Sequence, residues 1–227
     1  FSVLGDLLST AAAIVGGPRL TRGTRLYLTN EEGQAVNGFT PHPYPFECVA
    51  PIEQTVTFSE VDLGTQSPVI GNMSFGRGFA GHSQGNIVTC DFTTSVCVLG
   101  SPSDPLTLDT ALGGSQAEVV TDGAAEDNRV LCGSADFSDG LSVAVAFALP
   151  VRTVTIRVGG LNDGNVRVRM YDAAGELLND QTSSPTTGFW EPTYTAEANL
   201  IAGVLISEVA QDDAGWGLDR IFTSRDA

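Results

Sequence analysis

The sequence predicts an all-β chain, an antiparallel jelly-roll-like β-sandwich preceded by a short N-terminal helix or arm. Three observations carry that prediction. From Thr55 onward, apolar residues alternate at period two in short runs. Turn chemistry such as Asn162-Asp163-Gly164 and Ala173-Ala174-Gly175 separates the runs. Only the first seventeen residues, FSVLGDLLSTAAAIVGG, carry a helical pattern instead.

In that opening segment Val3, Leu4, Leu7, Leu8, Ala11, Ala12, Ile14 and Val15 recur at helical spacing, and Gly16-Gly17-Pro18 ends it. An apolar terminus is ordered only when docked, so Val3, Leu4, Leu7 and Leu8 are expected to form an arm. It would pack on its own domain or on a neighbouring subunit. Residues 18–54 form a turn-rich extension with one expected strand at 25–29 and a Pro-rich stretch, TPHPYPFECVAP.

Residues 55–227 are the expected sandwich domain. LSVAVAFAL (141–149) puts Leu141, Val143, Val145, Phe147 and Leu149 on one face. RTVTIRV (152–158) buries Val154, Ile156 and Val158, and NVRVRMY (165–171) buries Val166, Val168 and Met170. NLIAGVLIS (199–207) is apolar throughout, and GWGLDRIF (215–222) closes the chain.

The chain has 227 residues and a net charge of -16, and all eleven of its basic residues are Arg. A surface this acidic repels nucleic acid and anionic membranes, while cations or a salty exterior suit it. The absence of Lys excludes Schiff-base and isopeptide chemistry at that side chain. Four cysteines at 48, 90, 97 and 132 predict an oxidising, extracellular or cell-surface setting. Their spacing favours Cys90–Cys97 and Cys48–Cys132 bridges, with two other pairings open. Zinc lacks a C-x-x-C or C-x-x-H pair. No run reaches the roughly 18 apolar residues of a membrane span, and the chain reads as an exported protein without its leader.

The order TVTFSEVDLGT, FGRGFAG, GSPSDPLTLD, VLCGSADFSDGLSVAVAFALPVRTVTIRVGG, RVRMYDAAGELL and GWGLDRIF resembles a group of bacterial exported β-sandwich proteins. Many of these carry C-terminal sorting signals, and they are similar in turn to jelly-roll carbohydrate-binding modules. The resemblance covers about residues 55–222 and implies the fold more than any activity. This chain departs from the group in its cysteines and its first 54 residues, and it is read as lacking the group's C-terminal anchor.

Candidate chemistry is sparse. GHSQG (81–85) spells a nucleophile elbow, but no His follows Ser83 and strand-like sequence succeeds it. It is read as a Gly-rich turn with solvated Ser83 and His82. Glu60 and Asp62, two residues apart at a strand end, are placed badly for glycoside hydrolysis, which needs facing acids with separated pKa values. In jelly-roll modules the first and last strands are neighbours, so Glu60 and Asp62 are expected to meet Asp219 around a calcium ion. A salt bridge from the adjacent Arg220 to Asp219 is the competing expectation, and plain exposure of Asp219 the third.

If 152–158 and 165–171 form a hairpin, Arg157, Arg167 and Arg169 share a solvent face. Like charges so placed call for an anion, supplied by the protein's own acids, an anionic glycan or an acidic patch on a neighbouring subunit. Tyr171, Trp190 and Tyr194 are candidate sugar-stacking groups, and Trp216 is expected in the core. The function expected from these residues is a non-catalytic extracellular structural or adhesive module, assembling into a filament or layer through its arm. The alternative is a calcium-stabilised carbohydrate-binding module, and the third reading a polysaccharide-active enzyme.

Overall fold

A computed structural model of the chain describes residues 50–226 apart from 86–97, 124, 126, 134–141, 162–164, 185–187 and 211–214. The arm residues Val3, Leu4, Leu7 and Leu8, the strand expected at 25–29, and Cys48, Cys90 and Cys97 lie outside the described residues. The chain divides into two units, Phe1–Glu47 and Cys48–Ala227, and the second builds the sandwich.

Among the described residues two antiparallel sheets carry the fold. The seven-stranded sheet holds β1 (Ile52–Thr57), β8 (Glu118–Thr121), β9 (Arg129–Cys132), β11 (Thr153–Leu161), β14 (Gly188–Trp190), β15 (Thr193–Thr195) and β17 (Gly217–Arg225). The six-stranded sheet runs β13 (Leu177–Thr182), β12 (Asn165–Tyr171), β16 (Ile201–Ala210), β10 (Val143–Val151), β3 (Met73–Gly76) and β2 (Val69–Ile70). Two ribbons pair β4 (Gly78–Phe79) with β7 (Leu108–Asp109), and β5 (Ser83–Gln84) with β6 (Val98–Leu99). The first strand thus starts at Ile52, inside the expected turn-rich extension.

Period-two alternation sends one face of each long strand into the space between the sheets. Val154, Ile156 and Val158 from β11 meet Val166, Val168 and Met170 from β12 in the main core. Burying side chains of this size stabilises the fold by about 1.5–3 kcal/mol each. Val143, Val145 and Phe147 follow the predicted face, but Leu149 is exposed because the β10–β16 register shifts between Ala146 and Val151. Trp216 is in the core, as expected, and Trp190 and Tyr194 pack against it from its rim.

One expectation fails. β11 and β12 do not form a hairpin, since β11 is flanked by β17 on one edge and by β14 and β15 on the other. β12 is flanked by β13 and β16. Arg157 therefore belongs to the seven-stranded sheet, and Arg167 and Arg169 to the six-stranded one.

A smaller apolar cluster sits on the outer face of the six-stranded sheet. Phe79 packs with Ala144, Tyr171 and Leu205, and Leu106 and Leu108 close over them. The covering segment approaches the sheet closely. A Cβ on Gly76 would stand 2.9 Å from both the Asp109 carbonyl oxygen and the Thr110 Cα. Gly76→Ala should accordingly lower the unfolding free energy by roughly 1–3 kcal/mol in urea titrations, the cost of overpacking against backbone. Gly123→Ala, where a Cβ meets nothing within 4 Å, should stay within about 0.5 kcal/mol of the parent.

Candidate functional site

The outer face of the six-stranded sheet gathers the described polar groups best placed to meet a ligand. Along β12, Arg167, Arg169 and Tyr171 alternate outward while Val166, Val168 and Met170 point to the core. Register sets Arg167 between Thr182 and Ser207, and Arg169 between Asp180 and Leu205.

Direct opposition would pair Asp180 with Arg169, yet Asp180 is taken diagonally by Arg167. Arg167 Nε donates to Asp180 Oδ1 at 2.7 Å and its Nη2 donates to Oδ2, a two-pronged ion pair. These bonds hold the Asp180 carboxyl below the usual carboxylate range and raise the Arg167 guanidinium. Arg169 is left with Leu205 on one flank and an engaged acid on the other. Its Nε is buried with no hydrogen-bond partner. Burial, with repulsion from Arg167 added, pulls its pKa down.

His82 completes the group, brought there by the covering segment. A tight turn lets His82 N–H donate to the Phe79 carbonyl at 3.0 Å, while Phe79 N–H donates back to His82 Nδ1 at 3.3 Å. The ring lies 6.0 Å from Phe79 and 6.2 Å from Tyr171, centroid to centroid. His82 is 8% exposed, which corrects the expectation of a solvated residue in a Gly-rich turn. Its Nε2 is buried and without a partner. Burial first, and then the positive charge of Arg169, lower its pKa from 6.5 to about 4. Sequence reasoning missed His82 because GHSQG reads as loop and the Tyr171 ring against it lies far along the chain.

Tyr171 is 4% exposed and packs edge-on against Phe79 with centroids 5.8 Å apart. It therefore walls the site from beneath and offers no open stacking surface. Trp190 is on the other sheet, paired to Val158. The predicted ligand face thus divides, with Arg167, Arg169 and Tyr171 together and Arg157 and Trp190 elsewhere. Ser83 is exposed in β5, paired with Leu99, and so is not on the strand-to-helix turn a nucleophile elbow requires.

The expected metal ligands do not gather. β1 and β17 are neighbours as predicted, with Val56 opposite Ile221. Beyond Thr57, however, the chain turns, placing Glu60 and Asp62 on an exposed loop. Asp219 is buried, and its Oδ2 lies 3.1 Å from Arg157 Nε. A β-bulge in β17 opposite Arg157 makes Asp219 the extra residue there. The arginine found against Asp219 is thus cross-strand Arg157, in place of the expected Arg220, which pairs with Glu191 at 2.8 Å. Among the described residues no three His, Cys, Asp or Glu side chains group as a metal centre. The Arg157 guanidinium also stacks 4.2 Å over the Phe189 ring.

Cys132 is a free buried thiol whose Sγ lies 3.5 Å from the Trp216 carbonyl. Burial, with the charge of Asp122 added, raises its pKa and makes the thiol inert. Its expected partner Cys48 is outside the described residues. No described helix is long and apolar enough to cross a membrane.

No protein-family model matches the chain, and no curated protein matches it. Among solved structures it is similar to the family 29 carbohydrate-binding module CBM29_1 from Piromyces equi, at 11% identity over 78% of this chain and 91% of that one, TM-score 0.34. It is also similar to the K2 cleaved adhesin domain of Lys-gingipain, at 12% identity over 76% and 99%, TM-score 0.34. A third is CsCBM6-3 from Clostridium stercorarium in complex with cellobiose, at 12% identity over 77% and 94%, TM-score 0.28. At these identities and scores the likeness concerns architecture and assigns neither ligand nor activity.

Arg157→Ala removes the cation facing a buried carboxylate and should destabilise the fold by about 3 kcal/mol; in a double-mutant cycle Asp219→Asn should recover part of that loss. His82 is neutral in the fold and titrates near 6.5 when unfolded, so between about pH 6.5 and 4 the unfolded chain binds the extra proton. Its contribution to stability is whole above pH 6.5 and is lost as pH falls toward 4. Melting temperatures across that window should fall for the parent and fall less for His82→Gln.

Proposed function

We propose that the chain is a non-catalytic extracellular binding module that takes a glycan on the outer face of its six-stranded sheet, over Arg167, Arg169 and the segment carrying His82. The observation that carries this reading is Arg169, a half-buried cation on the outward side of β12 whose opposite acid, Asp180, is taken by Arg167 and whose Nε has no acceptor. Buried polar donors are nearly always partnered, and a water, an ion or a bound ligand oxygen would each satisfy this one. A glycan supplies oxygen acceptors along an extended chain, which suits a strip of polar side chains on a sheet.

The same side chains argue against catalysis. His82 Nδ1 is committed to the Phe79 N–H, so the imidazole is not oriented as a base toward Ser83. Glu60 and Asp62 share one exposed loop and do not face each other across a cleft. The test is titration calorimetry against a panel of soluble oligosaccharides. Arg169→Ala should weaken the best ligand at least tenfold with the fold intact by circular dichroism, while Arg220→Ala on the other sheet should change nothing. Equal affinity of parent and Arg169→Ala, with loss on Phe189→Ala, would move the site to the seven-stranded sheet and sink the proposal.

A further inference from the structure

Resting on that reading, we infer that the site recognises a singly charged oxyanion on the glycan, a uronate carboxylate or a sulfate ester. Arg169 Nε–H and the neutral His82 Nε2–H hold it together. The tautomer follows from the hydrogen bonds. Because Phe79 N–H donates to Nδ1, that nitrogen presents its lone pair, and the ring proton sits on Nε2. Both orphaned atoms, His82 Nε2 and Arg169 Nε, are therefore donors.

They lie on one patch. Arg169 and Tyr171 are two residues apart on the outward side of β12, and the His82 ring packs 6.2 Å from Tyr171. Two neighbouring donors, one of them on a cation close enough to lower the His82 pKa, repel a metal ion or an ammonium group and suit an oxygen acceptor. A neutral hydroxyl would satisfy the hydrogen bonds but would leave the half-buried charge of Arg169 without an anion of its own. Arg167 is already matched by Asp180, so one negative charge completes the patch.

The net charge of -16 does not defeat this. At physiological ionic strength fields decay over about 8 Å, and a group seated on Arg169 responds mainly to Arg167, Asp180 and His82. The imidazole also contributes a donor without a charge, so the anion meets one net cation.

The experiment compares neutral, uronate-containing and sulfated oligosaccharides of equal length at pH 7 by calorimetry on the intact chain. The parent should bind at least one acidic series ten times or more tighter than the neutral series, and the two acidic arms identify which oxyanion it takes. Arg169→Gln should abolish that preference. His82→Phe, which keeps the ring packing and removes the donor, should weaken the acidic ligand about fivefold and leave the neutral one unchanged. If acidic and neutral sugars bind the parent equally and Arg169→Gln weakens both, the oxyanion inference is overturned while glycan binding stands. If no sugar binds the parent at all, both are overturned.

Discussion

The fold depends on the burial of matching alternations carried by β11 and β12 from opposite sheets. Val154, Ile156 and Val158 face Val166, Val168 and Met170 across the core. Each strand has hydrogen-bonded partners on both edges, so neither has an edge left for the other. Every second residue is then forced outward, on opposite surfaces of the sandwich. Arg157 ends on one, and Arg167 and Arg169 end on the other. Turning either strand over by a one-residue register slip would bring arginines into the core, at a cost no surface contact repays.

That constraint decides how an acidic chain distributes its few cations. On the seven-stranded sheet the bulge at Asp219 brings a buried carboxylate to Arg157, and Glu191 reaches Arg220. At the margin Arg152 meets Asp226 at 3.2 Å. On the six-stranded sheet one acid, Asp180, stands near two arginines, and Arg167 engages both of its oxygens. Excess negative charge elsewhere does not help Arg169, because an ion pair is a matter of reach and register before it is one of net charge. The unmatched cation is thus a consequence of strand pairing.

Much of the architecture was legible from period and turns alone. The alternating strands at 152–158 and 165–171, the apolar strand at 199–207 and the adjacency of the first and last strands all occur as read. Alternation tells which side of a strand is buried, but not which sheet it joins, and so the arginine row was drawn on one face when it occupies two. The Asp219 expectation failed in part for a related reason. A bulge is a local slip in pairing, and GLDRI carries no residue that announces one. His82 was illegible because its burial comes from residues distant in the chain, Tyr171 above all, which only the folded sheet brings under it.

The site owes its character to that covering segment. Arg169 on a bare sheet would be solvated, with water on every donor and nothing to select a ligand. Phe79, Leu106 and Leu108, laid over Ala144, Tyr171 and Leu205, remove that water from one side. The approach is close enough that a Cβ on Gly203 would come within 2.7 Å of both Leu106 and Phe79, so the smallest side chain is what lets the segment seat. The same seating fixes the Phe79–His82 turn, and with it the tautomer that leaves a donor on Nε2. Apolar packing on the outside of the sheet, more than the number of charges there, is what turns a surface arginine into a partly desolvated donor with a neutral donor beside it.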